Sequence, residues 1–345
     1  MSPAILTITL SSLATGTIIT TISHHWLAAW VGLEMNTLAI IPMIATVHNP
    51  RATEAATKYF LTQAAASALI LFSSMTNAWQ TGTWDITNPM ASPMHTMLTL
   101  ALAMKLGLAP AHFWLPEVLQ GSTLTSALII TTWQKLAPMA LIYLTINSLS
   151  TTMLMTLGIV SSVVGGWGGL NQTQTRKIMA YSSIAHLGWM ITISSIMTNI
   201  MIFNLMLYLV MTTAVFCFLI MSKTKTIKDT TTIWALSPVA PAMTMILFLS
   251  LGGLPPLTGF TPKWLILEEL ITQKLTTMAT LLAVSTLLSL FFYLRLTYTT
   301  TLTLSPNTTQ TKFKWRFKPS TPTFLMMATS SASIFLLPAA PLLLL

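Results

Sequence analysis

Charge is the scarcest property of this chain. Asp, Glu, Lys and Arg make up 7% of its 345 residues, against about 25% in an ordinary soluble domain. With 53% hydrophobic residues and a mean hydropathy of +0.73, there are too few charges to coat a water-exposed surface. A soluble enzyme, a disordered chain and a nucleic-acid binder are thereby excluded. Cysteine occurs once, at Cys217, so no intrachain disulfide and no cysteine-held metal or iron–sulfur cluster can be built. The sequence has no GxGxxG, no Walker A loop and no HExxH, the patterns that hold phosphates or catalytic zinc. No His, Asp and Glu set has metal-ligand spacing. The 23 methionines read as apolar filler. The first apolar stretch has no basic flank and no small-residue cleavage site, so it reads as a retained helix and not as a signal peptide. An Arg- and Ser-rich transit segment is likewise missing.

What the chain does have is long hydrophobic runs. A helix needs roughly 20 mostly apolar residues to cross a bilayer. Eleven segments meet that need: 3–22, 25–46, 54–76, 95–120, 124–146, 151–170, 174–197, 200–222, 239–272, 276–304 and 323–343. The fold class expected is therefore an all-α polytopic membrane protein. The polar connections at 77–93, 223–237 and 305–322 are too short for a soluble domain.

The net charge of +9 comes from 16 basic and 7 acidic residues, and its placement carries information. Arg51, Arg176, Lys177, Lys223, Lys225, Lys228, Lys312, Lys314, Arg316 and Lys318 all follow even-numbered spans. The opposite side has Lys274 and little else. The positive-inside rule places the basic side inward, which puts the N-terminus inside and, after eleven spans, the C-terminus outside. The positive charge is then topology and lipid contact, with no role in nucleic-acid recognition. Anionic phospholipid, cardiolipin included, is expected beside these loops.

Two of the spans resemble each other. Leu106-Gly107-Leu108-Ala109-Pro110 is followed by Ala111-His112-Phe113-Trp114-Leu115-Pro116-Glu117, and Leu251-Gly252-Gly253-Leu254-Pro255-Pro256 by Leu257-Thr258-Gly259-Phe260-Thr261-Pro262-Lys263-Trp264. They lie an odd number of spans apart and so run in opposite directions, the mark of an inverted-topology repeat. Proline removes a backbone donor and clashes with the preceding turn. Broken backbone at membrane depth is tolerated where protein buries it or where it lines a polar cavity. The approximate repeat halves are 95–222 and 239–343, preceded by helices in 1–94, all within one transmembrane domain.

Four charges fall at membrane depth: Glu34, Lys105, Lys135 and Lys263. Each costs ~2.5–3.5 kcal/mol at a helix centre, so such residues face a bundle interior or water and mark functional paths. A buried lysine takes up and releases protons as a carboxylate partner approaches and withdraws. This is the chemistry of a proton relay, with Glu34 and Lys105 as a candidate pair and His186 and His112 as candidate links. A structural ion pair is the competing reading for Glu34 and Lys105. Snorkelling, or pairing with Glu268 or Glu269, competes for Lys263, and packing competes for both histidines. Ser182, Ser183 and Tyr181 beside His186 suggest a water chain. Glu117 is expected near an interface, in a salt bridge. The run Gly165-Gly166-Trp167-Gly168-Gly169 reads as a site of close helix contact, with a gate as the alternative.

Several stretches resemble the chain-2 family of animal mitochondrial NADH–ubiquinone oxidoreductases. They are Trp30-Val31-Gly32-Leu33-Glu34, Asn49 through Phe60, Lys105 through Glu117, Trp167 through Gln174 with Arg176 through His186, and Gly252 through Phe260 with Lys263-Trp264. The resemblance is weakest in 77–93 and after 300. It implies an antiporter-like subunit of the membrane arm of respiratory complex I, in the mitochondrial inner membrane with its N-terminus on the matrix side and its C-terminus on the intermembrane-space side. It implies Glu34 and Lys105 as a coupling pair, Lys135 as central relay, Lys263 as terminal relay and His186 as a link. It also implies other core and accessory subunits as partners, and no cofactor on this chain, with NADH, FMN, iron–sulfur clusters and ubiquinone handled elsewhere. A free-standing cation/proton antiporter and a purely structural subunit are the alternatives.

Overall fold

The computed structural model describes residues 3–88, 93–235, 239–301 and 323–339. The basic residues Lys312, Lys314, Arg316 and Lys318, the whole loop expected at 305–322 and the last residues of the span expected at 323–343 lie outside them. The described residues form fourteen α-helices and no strand: α1 (Pro3–Ile22), α2 (Trp26–Ile44), α3 (Pro50–Thr81), α4 (Met94–Leu106), α5 (Trp114–Gly121), α6 (Leu124–Thr131), α7 (Trp133–Thr145), α8 (Thr151–Gly169), α9 (Thr175–Ser194), α10 (Thr198–Ser222), α11 (Val239–Gly252), α12 (Phe260–Thr272), α13 (Thr276–Thr301) and α14 (Thr323–Phe335). Seven stretches are long and apolar enough to span a membrane, taking α6 and α7 as one. α4, α11 and the greater part of α14 are shorter apolar helices. Together with α9, these cover every one of the eleven expected segments.

The two long spans with internal proline are each two helices, α4 with α5 and α11 with α12. A third break divides the expected span 124–146 between α6 and α7 at Thr132, whose φ and ψ are −109° and −72°. No proline sits there. The Thr131 and Thr132 hydroxyls donate back to the carbonyls of Ala127 and Leu128 at 2.9 and 2.6 Å, and such back-bonding bends helices. The break sets Lys135 in the first turn of α7.

The many threonines and serines suit these helices to lipid because their hydroxyls are satisfied locally. In α1, Thr7, Thr9, Ser11, Ser12, Thr15, Thr17, Thr20 and Thr21 each donate to the carbonyl three residues back. Within α1 no hydroxyl proton is left without an acceptor in a medium that offers none.

The chain forms two compact units, one of Met1–Ser161 with Met190–Thr198, the other of Ser162–Trp189 with Asn199–Leu345. In the first, α1 packs along α2 and α2 along α3. In the second, the glycine run near the end of α8 brings helices into contact. A Cβ at Gly165 would lie 2.6 Å from the Ala185 backbone nitrogen, and one at Gly168 would lie 2.3 Å from the Tyr181 ring. The second unit also holds a basic loop. Thr175 N donates to Lys225 O at 3.2 Å and Ile227 N to Thr173 O at 3.0 Å. The Asp229 carboxylate accepts from the Thr226 and Lys225 amides at 2.8 and 3.0 Å. These hydrogen bonds, that of Thr226 foremost, hold its carboxyl below the usual carboxylate range.

Because the Gly165 contact is with backbone, which cannot move aside as a side chain can, Gly165→Ala is expected to cost about 1–3 kcal/mol. Thermal denaturation of the chain in detergent, compared with wild type, measures it. A melting temperature equal to wild type would contradict the close α8–α9 contact.

Candidate functional site

The site begins with the carbonyls that a broken helix leaves behind. The last four carbonyls of a helix have no partner within it, and inside a membrane water is scarce. α4 ends on Gly107, in the left-handed region at φ 78°, which glycine adopts without strain. The Gly107 and Leu108 amides both fold back onto Ala103 O at 2.9 Å. The Trp114 indole donates to Met104 O at 3.1 Å. The Lys135 ammonium, from α7, donates to Leu106 O. A cation at a helix C-terminus also meets the negative end of the helix dipole. Lys135 is thus held by a helix end and not by a carboxylate, and its side chain is 1% exposed.

α11 repeats this arrangement within the second unit. It ends at Gly252, and Gly253 takes the left-handed conformation at φ 76°. The Lys263 ammonium, from α12, donates to Gly252 O at 2.7 Å. Both breaks contain a cis X–Pro bond, Ala109–Pro110 and Pro255–Pro256. Lys263 is accordingly bound to a carbonyl, and among the described residues neither Glu268 nor Glu269 forms an ion pair.

Lys135 and Lys105 line one small cavity, together with Tyr59, Gln63, Trp114, Ile130 and Gln134. It offers about 10 Å³ to the centre of a water-sized sphere, near the minimum that one water needs. Polar atoms with no hydrogen bond cluster here: Lys105 Nζ, Tyr59 Oη and Gln63 Nε2. The Gln134 side chain donates to Asn36 O on α2 at 3.1 Å, two residues beyond Glu34. Glu34 Oε2 is buried without a hydrogen bond, within electrostatic reach of Lys105 and Tyr59. Glu34 and Lys105 are therefore electrostatic neighbours without direct contact, since the ion pairs among the described residues are those of Lys58.

The remaining candidates separate. His112 lies buried in the α4–α5 break, with Nδ1 3.2 Å from Pro110 O and its ring against Phe113. It does not line the cavity. His186, on α9, meets the Tyr293 hydroxyl at 3.4 Å through Nε2 and stands 5.6 Å from the Tyr208 ring. Glu117 binds Lys58 at 2.6 Å on an exposed face, and Lys58 binds Glu54 at 2.5 Å. Tyr59, Gln63, Gln134 and Tyr293 were not singled out from the sequence. Gln134 carried a visible signal, a polar side chain next to Lys135 in an apolar span. The others become neighbours only through packing.

Residues 23–289 match the family described as NADH:quinone oxidoreductase/Mrp antiporter, transmembrane. Residues 290–344 match NADH dehydrogenase subunit 2 C-terminus. The chain is 55% identical over 342 residues to NADH-ubiquinone oxidoreductase chain 2 of Varanus timorensis, covering 99% of each chain. It is 54% identical over 345 residues to that of Xenopus laevis, again covering 99% of each. The chain belongs to the NADH–ubiquinone oxidoreductase chain 2 family. Among solved structures, it resembles a chain of respiratory complex I from Thermus thermophilus with bound aureothin. The TM-score is 0.84 at 27% identity, over 96% of this chain and 77% of that one. A chain of the Mrp complex from Dietzia shares the fold, with a TM-score of 0.81 at 16% identity over 96% and 74%.

The two glycines at the α11 break make different demands. A Cβ at Gly253 would lie 2.8 Å from Lys263 Nζ, in a left-handed backbone, whereas a Cβ at Gly252 would meet only ordinary contacts at 3.5 Å and beyond. Gly253→Ala is expected to lower stability by about 1–3 kcal/mol and Gly252→Ala by under about 1 kcal/mol. Thermal unfolding of the two variants side by side tests this, and equal losses would contradict the described break.

Proposed function

We propose that this chain is the antiporter-like, proton-relaying subunit in the membrane arm of mitochondrial NADH:ubiquinone oxidoreductase, respiratory complex I. The observation that carries the reading is the lysine on the end of an interrupted helix, found at Leu106 and again at Gly252. A carbonyl holds an ammonium in place without neutralising its charge, so the lysine stays able to exchange its proton. An ion pair buried for structural reasons would place a carboxylate there instead.

In this reading Lys105 and Lys135 exchange a proton through the polar cavity they share, bridged by water. Glu34 sets the charge on Lys105 by approaching or withdrawing. Lys263 serves as terminal relay and His186 as a link, and His112 has the weakest geometric support of the six. Hydride and electron transfer from NADH to ubiquinone belong to partner subunits, core and accessory. The chain acts as one transmembrane domain with inverted-repeat halves near 95–222 and 239–343. It crosses the mitochondrial inner membrane with the basic loops at Arg51, at Arg176 and Lys177, and at Lys223, Lys225 and Lys228 on the matrix side. The N-terminus then faces the matrix and the C-terminus the intermembrane space, with anionic phospholipid, cardiolipin included, beside those loops.

Lys135→Met keeps the length and apolar bulk of the side chain and removes the exchangeable proton. It is expected to lower coupled turnover, or protons moved per electron pair, by roughly tenfold or more, in complex that still assembles on native electrophoresis. Assembled variant pumping at the wild-type rate and stoichiometry would end the relay role of Lys135. A paired comparison addresses Glu34. Glu34→Gln is expected to depress coupled turnover several times more than Glu117→Gln, because Glu117 sits in an exposed salt bridge of the kind worth about 1 kcal/mol or less. Equal, mild effects would remove Glu34 from the relay.

A further inference from the structure

One buried titratable group in the second unit has no part in the relay described so far. Tyr293, on α13, is 1% exposed, and its hydroxyl lies 3.4 Å from His186 Nε2. A phenol has one proton to donate. Two states follow. When Tyr293 donates to His186, Nε2 is the acceptor and the neutral imidazole carries its proton on Nδ1. When the hydroxyl turns its proton away from the ring, the phenol oxygen is free to accept from Nε2–H. The orientation of one O–H bond therefore selects the tautomer of His186, and the tautomer decides which ring nitrogen takes or gives a proton.

The position of Tyr293 ties this choice to the helix break. Its ring lies against Gly252, where an added Cβ would stand 3.8 Å from Cδ2, and Gly252 O is the carbonyl that binds Lys263. The register of α13 is held two residues on. Arg295 donates to Leu170 O and Gln172 O, both at 2.6 Å, at the C-terminal end of α8. Phe292 packs on Gly169 of that same end. A buried aromatic pinned on two sides serves as a fixed support for a rotating hydroxyl. Among the described residues, the titratable groups placed beside this site are Tyr208 from α10, its ring 5.6 Å from that of His186, Tyr293 itself, and Lys263 from α12 on the Gly252 carbonyl.

We propose that Tyr293 is a positioning residue for proton transfer, its hydroxyl setting the tautomer of His186 beside the carbonyl that holds Lys263. The inference rests on the relay reading of His186. Its test uses assembled complex I carrying Tyr293→Phe, Tyr293→His, His186→Gln, and Tyr293→Phe with His186→Gln. Coupled NADH:ubiquinone turnover and the KM for ubiquinone are measured after assembly is verified by native electrophoresis.

Tyr293→Phe is expected to lower coupled kcat about threefold or more with KM unchanged. Tyr293→His keeps a ring with a polar edge and is expected to recover a substantial part of that loss. In the His186→Gln background, Tyr293→Phe is expected to add nothing. A purely structural role predicts the opposite order, since Phe preserves the ring and its packing while His does not. If His186→Gln impairs turnover but Tyr293→Phe does not, the inference about Tyr293 is overturned and the relay reading stands. Should Tyr293→His be worse than Tyr293→Phe, or the two lesions multiply in the double variant, the positioning role is likewise overturned. His186→Gln with wild-type turnover would instead remove the relay reading of His186, and this inference with it.

Discussion

A carbonyl oxygen exposed inside a membrane must find a donor, and the candidate site of this protein is built around how two of them do. Interrupting a helix frees carbonyls that bilayer water cannot satisfy. At Ala103 and Met104 the chain answers with its own amides and the Trp114 indole. At Leu106 and at Gly252 it answers with lysine. The same hydrogen bond that makes the break tolerable places an exchangeable proton at it. On the proposed relay, structural necessity and function meet in one contact.

The polar groups around Lys105 have a different character. Backbone ends are satisfied, while Lys105 Nζ, Glu34 Oε2, Tyr59 Oη and Gln63 Nε2 have no hydrogen bond. Low local dielectric makes such groups costly and strengthens any bond they form. A cluster whose members have donors and acceptors to spare rearranges at little further cost. A closed salt bridge would first have to be broken, as with a buried pair, where losing one partner costs about 3–5 kcal/mol. The open arrangement of Glu34 and Lys105 fits a switch better than a clamp.

Most threonine and serine hydroxyls of the described residues are satisfied within their own helices, as along α1 and again at Ser182 and Ser183 on α9. That economy sets apart the side chains whose hydrogen bonds run between helices, among them Lys135, Lys263, Gln134, Trp114, Arg295 and Tyr293. These same contacts fix the geometry of the breaks and of His186.

The sequence by itself determined the class, the helical segments and the identity of the intramembrane charges. Each of these depends on local composition: apolar runs of spanning length, Gly-Pro interruptions, and charges costly enough at membrane depth to stand out. It also exposed the kinship of the two broken spans, because Gly and Pro mark backbone conformation wherever they occur. What it did not contain was partnership. Lys263 has Glu268 and Glu269 close by in sequence yet binds Gly252 O, and Lys135 binds a carbonyl 29 residues away in the chain. The break at Thr132 also escaped, since threonine back-bonding bends a helix only where packing accepts the bend. Tyr59, Gln63 and Tyr293 read as ordinary residues of apolar helices until tertiary structure brought them beside Lys105 and His186. A proton path is a property of distances between helices, and only the packed structure sets those distances.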